Sequence, residues 1–319
     1  SGVSMWIFLT SLGVEGPVRL WGALLYMLSG GAGARLAAGQ IQTLLTYPLI
    51  PLFFFFSLPS MMRFSREISA ALVLTLIIFS GDFYTIWFLT IFFIAIRGYY
   101  VFAKRESLLG SSASVVRTYV FLSIFASVKL VPFLLDVLPR IERFSAVDPF
   151  AGSIHAWLSP LPFIIPWREM FYDRPFFRRL LGFHFNWYEY YAFISPLPFL
   201  FLIKIKSVMK QKYTILLLTL LGIGVLYSAL KYPYSPFYWL FRTLPFLGNF
   251  RVPQRIFTPM TPLVIGFLSI CAKSWKKNIA MGIFVLSIGW TFFVGQRTML
   301  LAFEKPRAAE RALIQALRQ

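Results

Sequence analysis

The chain has 319 residues, 58% of them hydrophobic and 19% aromatic, with a mean hydropathy of +0.70. Those values exclude an ordinary soluble domain and a polar disordered chain. The 31 basic residues against 12 acidic ones give a formal charge of +19. They gather in short segments between apolar runs, which is the pattern of membrane-flanking loops and argues against nucleic acid as a partner.

The sequence opens SGVSMWIFLT, with neither an initiating Met nor the regions of a signal peptide, so further sequence is expected upstream. Apolar runs punctuated by Pro, Gly and charge then mark segments at 3–14, 17–35, 41–58, 68–80, 83–102, 114–138, 188–203, 213–230, 256–272 and 279–297. The first is too short to span a bilayer alone and reads as the inner end of a longer helix. The fold class expected is all-α, a multi-spanning transmembrane bundle of about 9–10 helices over residues 1–302. A short amphipathic C-terminal helix is expected over 303–319, with Ala309, Ala312, Leu313 and Ala316 at helical spacing.

Two connections are long, 139–187 and 231–255. The first is rich in Pro and aromatics and reads as a folded cap carrying short interfacial helices, with Trp157, Trp167 and Trp187 as belt residues. Alternating the segments across a bilayer collects Arg63, Arg66, Arg97, Lys104, Arg105, Arg117, Lys204, Lys206, Lys210, Lys212, Lys273, Lys276 and Lys277 on one side. That side is expected to be cytoplasmic, which places both long loops, Asp82 and the C-terminus on the other.

Soluble-enzyme motifs are absent. The SGGAGA run at 29–34 follows an apolar run and lacks a following Lys-Ser/Thr, so it is neither a dinucleotide fingerprint nor a P-loop, and a helix end or close helix packing explains it. Cys271 stands alone in an apolar run, and His155 and His184 are the two histidines, without metal-ligand spacing. No cofactor is named by these residues. A divalent cation held by carboxylates stays open.

Asp82, in the tight SGDFY turn, is either a helix cap or a general base or metal ligand. Glu189, in NWYEYYAFISPLPF at the start of an apolar run, carries the same pair of readings. Arg251 and Arg255 flank Pro253 where the next helix begins, four residues apart on one face. Either both snorkel to the interface, or they clamp an anion against the free N–H groups of the helix start.

LPFLGNFRVPQRIF resembles a segment of the YfhO-like bacterial membrane proteins of the C-type (GT-C) glycosyltransferase superfamily. NWYEYYAFISPLPFLFL, GALLYMLSGG, LAAGQIQTLLTYPLIPLFF and SVKLVPFLLDVLP resemble further segments of that family, in the expected order. The resemblance implies a multi-pass bacterial inner-membrane transferase that uses a polyprenyl-phosphate-linked sugar on the extracytoplasmic face. Carried onto matching positions, Arg251 and Arg255 bind the lipid phosphate and Glu189 lines the same cavity, with Asp82 as a second acidic candidate. His184, Trp187 and Tyr188 complete the expected cavity lining. Such enzymes usually carry a catalytic acid in a first outer loop, after a first transmembrane helix, and this sequence is expected to begin beyond that point. The rival expectation is a non-catalytic GT-C-derived subunit of a membrane complex, with other membrane subunits as partners. A lipid or solute transporter ranks third, since no internal repeat is seen.

Overall fold

The computed structural model describes residues 1–31, 40–58, 64–132, 135, 154–165, 192–230, 232–243 and 253–304, leaving aside the side chains of 241–242, 253–254 and 295–304. Its α-helices are α1 Gly2–Ser11, α2 Gly16–Leu28, α3 Ile41–Thr46, α4 Leu49–Ser57, α5 Phe64–Ser80, α6 Phe83–Phe102 and α7 Leu108–Pro132. They continue with α8 Leu161–Ile164, α9 Ile205–Val208, α10 Thr214–Ser228, α11 Pro236–Thr243, α12 Phe257–Ala272 and α13 Lys277–Glu304. Three 3-10 segments, Ala156–Leu158, Leu197–Lys204 and Pro253–Ile256, complete the described secondary structure, and no strand occurs among the described residues.

Three of these helices are long and apolar enough to cross a membrane: α6, α7 and residues Lys277–Val294 of α13. Helices α1, α10 and α12 are apolar but shorter, at 10, 15 and 16 residues. The run at 41–58 is two helices instead of one, broken at Tyr47–Pro48, because proline removes a backbone donor and crowds the preceding turn.

The run at 188–203 departs further from expectation. Where it is described, it is a buried non-helical stretch followed by 3-10 helix, with Pro196 and Pro198 disfavouring a continuous α-helix. Its backbone is nevertheless satisfied. The N–H groups of Ala192 and Ile194 donate to Pro162 and Phe163 at 3.3 and 2.9 Å, and Phe193 accepts from Gly30 at 2.7 Å. Irregular backbone inside an apolar bundle is tolerated where protein supplies such partners. At the C-terminal side, α13 runs on to Glu304, past the boundary expected at 302. The remainder of the expected amphipathic helix, 305–319, lies outside the described residues, as do 139–153 and 166–187 of the long loop.

Every residue of α12 is buried, so it is the central helix, enclosed by α1, α2, α4, α6, α10 and the Leu197–Lys204 segment. Close approach there depends on missing side chains. A Cβ on Gly22 would stand 2.6 Å from Leu9 Cδ1, on Gly224 2.4 Å from Met260 Sδ, and on Gly266 2.9 Å from Leu12 Cδ1. These glycines set the α1–α2–α12 and α10–α12 spacings, as small residues do in apolar bundles. On the periphery, α7 packs chiefly on α5 and leaves Val116, Val120, Ile124 and Val128 exposed at four-residue spacing.

Two ion pairs, each with a buried member, tie the chain together near the α6–α7 connection and within α7. Near the α6–α7 connection, the buried Arg97 guanidinium donates to the Ser57 carbonyl, where a cation complements the C-terminal end of α4. It also meets Glu106 at 3.4 Å. Beside it, Arg117 donates through Nε and Nη2 to the two oxygens of fully buried Glu67, both at 2.8 Å, a bidentate pair joining α7 to α5.

Candidate functional site

The opposite end of the bundle is built around the turn between α5 and α6. Gly81 adopts a φ of +89°, which a side chain would resist, and this lets the chain reverse within two residues. Asp82 then caps α6. Its Oδ1 accepts the Thr85 N–H at 3.1 Å, and its Oδ2 accepts the hydroxyls of Thr85 at 2.7 Å and Thr46 at 3.0 Å. The carboxylate is buried, and those three donors engage both oxygens. Of the two sequence readings for Asp82, the geometry displays the cap.

Thr46 ends α3, and the residue after it, Tyr47, belongs to a polar knot that the sequence did not disclose. Tyr26 of α2 stacks on Tyr47 with centroids 4.4 Å apart and donates its hydroxyl to the Tyr47 carbonyl at 2.6 Å. Ser29, just past α2, donates to the Tyr26 carbonyl at 2.9 Å and shares a short hydroxyl contact with Tyr47. The one available signal was the placement of Tyr47 before Pro48, a break in an apolar run.

Arg255 lies at this same end. Pro253 opens a 3-10 turn instead of the α-helix itself, and α12 starts two residues after Arg255. The half-buried Arg255 guanidinium sits 4.3 Å from the ring centroid of Tyr84, which follows Asp82 by two residues. Structure therefore brings Asp82 and Arg255 to one neighbourhood, bridged by Tyr84. A cation two residues before the positive end of α12 is an arrangement that an anion would stabilise.

Aromatic side chains floor the region. Phe163 meets Phe257 edge-on at 5.7 Å, and Tyr227 accepts the Trp87 indole N–H at 2.8 Å while packing against Phe88 and Phe237. Further out, His155 stacks on Tyr232 at 3.9 Å, and Tyr232 stacks on Tyr234 at 5.5 Å. Burial pushes the Tyr232 phenol above its ordinary pKa, and the neighbouring Tyr234 adds to the shift. Trp157, expected in an aromatic belt, is 70% exposed.

Arg251, His184, Trp187, Tyr188 and Glu189 lie outside the described residues. Among the described residues, no group of three or more His, Cys, Asp or Glu side chains could hold a metal ion. Comparison with family models, with curated proteins and with solved structures finds no match for this chain.

Proposed function

We propose that this chain is a GT-C-like integral membrane protein of the bacterial inner membrane that receives a polyprenyl-phosphate-linked sugar at the Asp82–Arg255 end. The observation that carries the reading is Arg255 held over Tyr84 at the start of α12, where guanidinium and helix N-terminus both favour a phosphate. Arg251 is the second arm of that clamp. The lysine-rich connections at the other end are cytoplasmic, and the clamp faces the extracytoplasmic side. Sugar transfer to an acceptor hydroxyl would require a general base, with Glu189 and Asp82 as the candidates carried by sequence.

The test is binding of a polyprenyl phosphate to the purified full chain in nanodiscs. Replacing Arg251 and Arg255 together by Ala removes two charge-assisted contacts, costing about 3 kcal/mol, or more than a hundredfold in affinity. Unchanged binding by the double variant refutes the clamp.

A second reading has its own support. Because Asp82 already accepts from three protein donors, it is poorly placed to take a proton from an acceptor. The chain is then a GT-C-derived accessory subunit that binds the lipid phosphate without transferring sugar. Assay of transfer from a polyprenyl-phosphate sugar decides between them: binding with turnover supports the enzyme, and binding without turnover even with added divalent cation supports the subunit.

A further inference from the structure

At the end of the bundle away from Arg255, two basic connections far apart in sequence are folded into one surface. Residues 203–213 and 272–278 carry seven lysines and no acidic residue. The Leu197–Lys204 segment packs against α12 and α13, which flank the 273–276 connection. There Lys204 Nζ donates to the Ser274 carbonyl at 3.4 Å and lies 5.3 Å from the Trp275 ring centroid. Phe201 anchors the joint, meeting Trp275 edge-on at 5.8 Å and Phe284 at 5.0 Å. Lys273 donates to the Gly13 carbonyl, bringing the α1–α2 turn alongside.

Lys204, Lys206, Lys273, Lys276 and Lys277 are all exposed. Partial desolvation of the Lys273 ammonium, whose side chain is otherwise exposed, pulls it below its usual pKa, and Glu15 works against that shift. One acidic neighbour does not balance such a concentration of like charge, so the patch is complementary to an anion. The Trp275 indole N–H beneath it has no hydrogen-bond partner among the described residues. Apolar surface adjoins the charge: Leu200 and Ile203, on the segment that ends in Lys204, are 43% and 74% exposed, and Ile279 of α13 is exposed too.

We propose that Lys204, Lys206, Lys273, Lys276 and Lys277 form a docking site for an anionic phospholipid of the membrane leaflet on that side. The ammonium groups meet the headgroup phosphate, the Trp275 ring edge lies at headgroup depth, and Leu200, Ile203 and Ile279 face its acyl chains. A free phosphate would use the lysines alone and leave the apolar margin unexplained. This site is separate from the Arg251–Arg255 clamp and does not depend on it.

The experiment follows thermal unfolding of the purified full chain in uncharged detergent while phosphatidylglycerol, phosphatidylcholine or inorganic phosphate is titrated. Phosphatidylglycerol raises the midpoint by several degrees at concentrations where phosphatidylcholine and inorganic phosphate do not, and added salt weakens the effect. The variant Lys206→Gln, Lys276→Gln, Lys277→Gln removes three charges that make no side-chain hydrogen bond or ion pair among the described residues, and it leaves folding intact. It lowers the apparent affinity for phosphatidylglycerol at least about tenfold. A control, Lys104→Gln with Arg105→Gln, removes charge outside the patch and keeps the response. The proposal is overturned if phosphatidylcholine or inorganic phosphate stabilises equally, if the triple variant responds like wild type, or if the control loses as much.

Discussion

Substituting Asp82 separates a structural carboxylate from a chemical one. In Asp82→Ala, α6 loses its N-cap, worth about 1–2 kcal/mol. The hydroxyl of Thr46, the hydroxyl of Thr85 and the Thr85 N–H lose a buried acceptor at once. Stranding even one of these away from water adds about 1–2 kcal/mol, so the expected loss is about 2–4 kcal/mol. Asp82→Asn keeps one carbonyl oxygen for the cap and costs about 1 kcal/mol. Equilibrium unfolding of the full chain in mixed micelles with increasing SDS measures both. Polyprenyl-phosphate binding, measured on the same samples, stays within about threefold of wild type for Asp82→Asn, a difference below 1 kcal/mol. If Asp82→Ala unfolds within about 0.5 kcal/mol of wild type, the capping argument is wrong. If Asp82→Asn keeps its stability but loses binding or transfer tenfold, the carboxylate acts directly on ligand.

Arg117→Ala leaves the carboxylate of fully buried Glu67 without its bidentate partner and destabilises by about 2 kcal/mol, less than a fully buried pair because Arg117 is 48% exposed. Adding Glu67→Ala recovers part of that loss in the same unfolding assay, and strict additivity of the two changes would disprove the coupling. Gly224→Val drives a side chain against Met260 and costs about 1–3 kcal/mol, whereas the same change at Gly222, where added volume meets open space, costs no more than about 1 kcal/mol. Cys271, fully buried in α12, resists maleimide in the folded protein and labels fully once SDS unfolds it; rapid labelling of the folded form would show that α12 is not central.

Local signals placed many of the helices. The run 83–102 coincides with α6 because an uninterrupted apolar stretch after an Asp cap leaves a helix little alternative. Proline-rich runs were harder. Hydropathy sees 188–203 as one segment, but a buried non-helical stretch is permitted there only because Pro162, Phe163 and Gly30, distant in sequence, supply hydrogen-bond partners. Likewise Pro253 marked where a helix begins without revealing that a 3-10 turn comes first.

By itself the sequence determined the medium this protein is built for, the positions of its charged connections and the candidates Asp82 and Arg255, because hydropathy and capping are properties of neighbouring residues. Only tertiary structure decided that Asp82 is engaged on both oxygens by Thr46 and Thr85, that Tyr84 joins it to Arg255, and that two lysine loops form one patch around Trp275. Each of those facts depends on which helix faces which, and helix packing is set by interlocking side-chain shapes and by glycines such as Gly22, Gly224 and Gly266, whose spacing role appears only once the partner helix is in place.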